Sequence, residues 1–108
     1  MDSETGFAVV FVTTGSMEEA ERIATNLVEE RLAACVNIVG PIRSIYRWEG
    51  AVQREAEHLL IIKSATNAFG NLEARIRELH SYDTPEVIGV PIAEGSHKYL
   101  EWMKSSTQ

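Results

Sequence analysis

The chain has 108 residues, of which 44% are hydrophobic and 24% charged, and carries a formal net charge of −6 at pH 7. That length holds one compact domain, residues 1–108, around one core, and an acidic balance with no run of Lys or Arg excludes the phosphate-neutralising surface of a nucleic-acid binder. A single cysteine, Cys35, excludes an internal disulfide, while the polar start "MDSETG" and the absence of any bilayer-length apolar stretch lead us to expect a cytoplasmic protein without membrane contact. The segment "FAVVFVT", Phe7 to Thr13, is β-branched or aromatic almost throughout and predicts a strand buried on both faces. Ser16 followed three residues later by Glu19 is a capping box, and Ala20, Ile23, Ala24, Leu27 and Val28 recur at helical spacing, predicting a helix from about Met17 to Ala33. "CVNIVGPIRSIYRW" returns to strand, with Val36, Ile38, Ile42, Tyr46 and Trp48 sharing one parity and Gly40-Pro41 marking a bulge.

Glu49-Gly50 then offers a hairpin turn into a third strand, whose Leu59, Leu60, Ile61 and Ile62 fill both faces and place it centrally. Asn67 is positioned to cap a second helix with the stripe Phe69, Leu72, Ile76 and Leu79, which must stop near His80 because Pro85 forces Thr84 out of the α region. "EVIGVPI" predicts a fourth strand, and Ser96 caps a short last helix carrying Tyr99, Leu100 and Met103. The order is β-α-β-β-α-β plus a C-terminal helix, an α+β ferredoxin-like plan with an antiparallel sheet. In that plan both main helices cover the same face, yet the first and third strands are apolar on both. The bare face requires cover, and further subunits supply it better than so short a last helix.

Candidate chemistry concentrates in "HSYDTPEV", His80 to Val87. His80 stands at a helix end and Asp83 before Thr84-Pro85, as in an ordinary turn; His80, Tyr82, Asp83 and Glu86 are equally a dense set of ligand types for one cleft. Cys35 reads either as a small buried hydrophobe or as a soft ligand for copper(I) or zinc, with no Cys-x-x-Cys or His-x-x-x-His spacing beside it. Catalysis by a nucleophile lacks a visible base, so no enzyme is expected. Phosphate binding lacks a glycine-rich loop or an arginine in "TTGSME", which also argues against an acylphosphatase-like activity. RNA binding would need aromatic residues on the third strand, which reads "EAEHLLII".

Five blocks in order, "EERLAACVNI", "SIYRWEG", "EHLLIIK", "HSYDTPEVIGVPI" and "YLEW", resemble the CutA family of divalent-cation tolerance proteins across almost the whole chain. The resemblance implies a tight homotrimer like that of the PII signalling proteins, with a metal ion or small ligand held in inter-subunit clefts and a link to copper tolerance. By position it makes Cys35 and His80 metal ligands, and Trp48, Lys63, Tyr82 and Glu86 binding residues near the clefts. Copper or another divalent metal is the implied cofactor, and none is expected to be needed for folding. Ser81 stands where the family usually has proline, and Asp83 where it has glutamate. A PII-like signalling or scaffold trimer, acting on another protein, is the competing expectation.

Overall fold

Strand β1 (Phe7–Thr14) forms where the chain is most β-branched, and in the computed structural model, which describes residues 1–108, it lies at the centre of the sheet. Helix α1 (Met17–Glu29), strands β2 (Cys35–Trp48) and β3 (Ala51–Ala65), helix α2 (Phe69–Leu79), strand β4 (Ile88–Pro91) and helix α3 (His97–Ser106) follow in order. The four strands make one sheet in the order β2-β3-β1-β4, every neighbouring pair antiparallel. This is the expected ferredoxin-like plan with its additional C-terminal helix.

Register divides the sheet into two faces. Val10, Val12, Leu60 and Ile62 point towards α1 and α2, where they join Ile23, Leu27, Leu72 and Ile76 in the main core. On the other face lie Val9, Phe11, Leu59 and Ile61, flanked by Val39 on β2 and by Ile88 and Val90 on β4. Helix α3 covers only one end of that face: Met103 is fully buried against Phe7 and Ala34, with Leu100 and Ala65 beside it. Apart from Glu57, which Tyr82 of the loop after α2 covers, the rest of the open face is left partly or largely bare. Ile88 is 54% exposed, Val90 48% and Val39 44%.

Several details depart from expectation. Helix α1 ends four residues before Ala33, because Arg31 takes a left-handed conformation (φ 61°) and the N–H of Leu32 turns back to the carbonyl of Leu27. The N–H of Arg31 bonds the carbonyl of Val28, completing a Schellman closure. Val28 consequently sits off the buried stripe. Asn67 falls inside a 3-10 turn (Thr66–Ala68) and makes no side-chain cap to α2. On β2 the bulge at Gly40-Pro41 shifts the register between Val39 and Ile42, so Val36 and Ile38 face the helices while Ile42, Tyr46 and Trp48 take the parity of Glu57 and Glu55. An extra residue in one strand reverses which side its successors face. Beyond the bulge the two long strands continue as an exposed arm, part of a molecule 44 Å long and 22 Å across its shortest axis.

Candidate functional site

The C-terminal end of β1, the root of the β2–β3 arm and the loop after α2 meet around His80. Its backbone N–H donates to the carbonyl of Ile76 and ends the helix. The ring lies 2.7 Å from the carbonyl of Thr13 through Nε2, while Nδ1 accepts the N–H of Tyr82 at 3.0 Å. A nitrogen that accepts carries no proton, so Nε2 is the protonated one and donates to Thr13. Both ring nitrogens are thereby used. From α1, Glu19 accepts the N–H of Ser81 at 2.7 Å. Burial raises the Glu19 pKa, but hydrogen bonds from Ser81 and the neighbouring His80 outweigh it, and the net shift is downward.

These bonds hold the loop so that the Tyr82 hydroxyl donates to Glu57 at 2.9 Å, with the ring tilted against His80 at 4.7 Å between centroids. Gly15 is part of the fit, since a Cβ there would come within 3.2 Å of that hydroxyl. Burial, then the bond to Glu57 and its charge, push the Tyr82 phenol well above its ordinary range. Glu86 is also raised, first by burial and then by the charge of Glu57.

Tyr82, Glu57 and Glu86 line one cleft of about 830 Å³ together with Tyr46 and Trp48 from the arm. Glu55 and Asp83 add two more carboxylates, and no Lys, Arg or His takes part in the lining. Trp48, Tyr82 and Glu86, which the family resemblance had marked, are therefore brought together. Glu57, Tyr46 and Glu55 were not singled out from sequence. The signal for Glu57 was its parity, because in "EAEHLLII" it lies on the same side of β3 as Leu59 and Ile61 and so extends the open face with a charge.

Cys35 and Lys63 lie elsewhere. They are register partners level with Val9, whereas His80 packs at Thr13, four residues along β1, or about 13 Å at the usual rise of a strand. Lys63 donates to the side-chain oxygen of Asn37, which also lies 3.9 Å from the Cys35 sulfur. Tyr99 of α3 completes this cluster, its phenol raised by burial and then by Cys35. Within one chain, then, Cys35 and His80 do not form a shared ligand pair. No three His, Cys, Asp or Glu side chains are grouped as a metal site.

Residues 8–106 match the family model described as CutA1 divalent ion tolerance protein. The chain is 52% identical over 99 residues to the divalent-cation tolerance protein CutA of Thermus thermophilus, covering 92% of this chain and 96% of that one. It is 50% identical to the chloroplastic CutA protein of Arabidopsis thaliana over 93% of its own length, but spans only 55% of that relative. Among solved structures, the Thermus thermophilus protein superposes with a TM-score of 0.92 at 50% identity, covering 94% of this chain and 99% of that one. The periplasmic divalent cation tolerance protein CutA of Archaeoglobus fulgidus also gives 0.92, at 37% identity over 94% of this chain and 99% of its own.

Proposed function

We propose a function from one premise: this chain belongs to the CutA1 divalent ion tolerance family. It works as a cytoplasmic homotrimer that holds a metal ion, copper or another divalent cation, or a small ligand in clefts between subunits, and contributes in that way to divalent-cation tolerance. The open sheet face is the observation that carries this reading. Its apolar residues extend beyond what α3 covers, and Ile45 and Val52 at the opposite parity of the arm are exposed as well; apolar surface of that extent is stable only when buried.

Metal binding follows from assembly. One chain groups no three ligand side chains, so a metal ion needs donors from more than one copy, with Cys35 on the open face and the carboxylates of the cleft as the donors available. Binding rather than catalysis suits the same geometry, since the His80 ring is fully engaged and Cys35 has no histidine beside it.

Sedimentation of the untagged protein at micromolar concentration, with metal analysis of the same chelator-free preparation, tests both parts. A mass of three chains with bound metal is expected. A mass of one chain would overturn the assembly, and a metal-free trimer that takes up no added copper or zinc would overturn the metal.

A further inference from the structure

We infer that the two faces of the β2–β3 arm are the two halves of one contact, in which the arginine face of one copy's arm lies against the carboxylate face of the next copy's. This deepens the reading above by naming the surfaces that close the trimer, and it rests on that reading.

The arm is sorted by charge. Beyond the bulge, residues opposite each other on the two strands share a face, so Arg43, Ile45, Arg47, Val52 and Arg54 stand on one side while Tyr46, Trp48, Glu55 and Glu57 stand on the other. The first side has no carboxylate and the second no basic group. Arg54 lies diagonally across the ladder from both Arg43 and Arg47, a spacing of about 7–8 Å at which long side chains interact. These arginines take part in no ion pair and no side-chain hydrogen bond, whereas each of the others, Arg22, Arg31, Arg75 and Arg77, has a partner. Like charges held in a row without a counter-charge repel, and a partner that brings carboxylates removes that cost.

The partner must match more than charge. Ile45 and Val52, 61% and 49% exposed, stand among the arginines. The phosphates of a nucleic acid would meet the guanidinium groups and leave this apolar surface wet. A second copy of this chain supplies both requirements. Glu55 and Glu57, with Asp83 of the loop after α2, offer the planar acceptors that guanidinium groups pair with, and the exposed Tyr46 and Trp48 offer faces on which those groups and the apolar residues pack. Complementary surfaces on opposite sides of one element make a heterologous contact, which repeats head to tail until the ring closes. From Ile42 to Trp48 the arm reaches about 20 Å, comparable with the 22 Å thickness of the molecule it would cross. Carboxylates engaged in this way are not free for a metal, so the donor that remains for one is Cys35, at the opposite end of the open face.

Charge reversal tests the contact. Arg43→Glu with Arg54→Glu, and separately Glu55→Lys with Asp83→Lys, should each weaken the trimer by about a hundredfold in sedimentation at graded concentration, because like charges then meet across the contact. Circular dichroism should show both variants folded. The four substitutions combined in one chain set opposite charges face to face again and should restore the mass of three chains. Carbodiimide treatment of Arg54→Lys gives a second readout that needs no loss of assembly: a two-chain product whose linked peptide joins the introduced amine to Glu55, Glu57 or Asp83 is expected, and it decides alone if a reversed pair fails to fold. A parent with the mass of one chain overturns the trimer and this contact with it. A parent trimer that both reversals leave at full strength, a fourfold variant no tighter than either pair, or a two-chain product without that peptide overturns the contact alone. So would capture of the parent trimer by heparin that is lost in Arg43→Glu with Arg54→Glu, since the arginine face would then be free for a polyanion.

Discussion

On β3, Leu60 and Ile62 are completely buried, whereas Leu59 and Ile61, one position earlier in each case, keep part of their surface in water. The four side chains differ little in chemistry. What separates them is parity, which sends one pair under α1 and α2 and the other onto a face that α3 covers only at its end. A strand apolar at both parities therefore states two packing requirements, and here the chain meets only one of them by itself. The helix-covered face determines whether the monomer folds; the open face determines what the folded monomer meets next.

The sharpest way to break this comparison is a charge on each side. Leu60→Asp places a carboxylate in the main core and deletes its packing, a loss of about 5 kcal/mol, comparable with the whole stability of a small domain. Ile61→Asp, with its side chain on the open face, should leave helix and strand signals intact in circular dichroism while sedimentation falls to the mass of one chain. If Ile61→Asp unfolds the protein as Leu60→Asp does, the two faces are not independent. If it leaves a trimer, the open face is not the interface.

His80 belongs to the covered side and tests the loop that forms the cleft. His80→Ala removes the bonds to Thr13 and Tyr82 and leaves the Thr13 carbonyl without its donor, costing about 2–3 kcal/mol in denaturant unfolding. Because both nitrogens serve the fold, copper affinity measured by competition with a chromogenic chelator should stay unchanged in this variant. Cys35→Ser should lower it, since that sulfur makes only a long 3.9 Å contact to Asn37 and is the one soft thiol donor in the chain. A fall in copper affinity in a folded His80→Ala protein would make the ring a ligand after all.

How much of this was legible beforehand follows from the range of the interactions. The capping box at Ser16 and the α2 stripe depend on neighbours three or four residues apart, and periodicity carries them; strand order, which pairs Phe7 with Ala65, followed instead from the sequence of elements and the ferredoxin-like plan it implies. The position of the α1 terminus does not, because it depends on Arg31 adopting a left-handed conformation that offers no glycine to announce it; its guanidinium is held by the Ser105 carbonyl, 74 residues away. Parity beyond the Gly40-Pro41 bulge is lost for a related reason, as one inserted residue reverses a pattern that otherwise alternates without interruption. The cleft was half legible. Tyr82 and Glu86 stand in a recognisable block, but Glu57 joins them only through the fold, across 25 residues from Tyr82.

A smaller effect is expected at Glu19, which ties α1 to the loop of the cleft. Its folded pKa lies below the ordinary 4.5, so its carboxylate contributes stability that is present above that value and is lost as pH falls through the folded pKa. Glu19→Gln should cost about 1 kcal/mol at pH 7, mainly through the weaker acceptor offered to the Ser81 N–H. The gap between variant and parent in urea unfolding should narrow once pH drops below about 4, the range in which unperturbed Asp and Glu titrate. A gap independent of pH would show that the side chain acts by packing alone.

Glu86 reverses the sign. Its folded pKa is raised, by burial and then by Glu57, so the folded protein holds that proton more tightly than the unfolded chain does. Stability from this group is present below the unfolded value of 4.5 and is lost as pH rises through the folded pKa. Above its folded pKa the ionised Glu86 is therefore a burden on the fold, and Glu86→Gln should stabilise the protein slightly there, by only about a few tenths of a kcal/mol because the side chain is largely exposed and water screens it. Acidification should erase the advantage, because the parent then becomes neutral too. Parent and variant that melt together at every pH would show that Glu57 and Glu86 do not sense each other across the cleft.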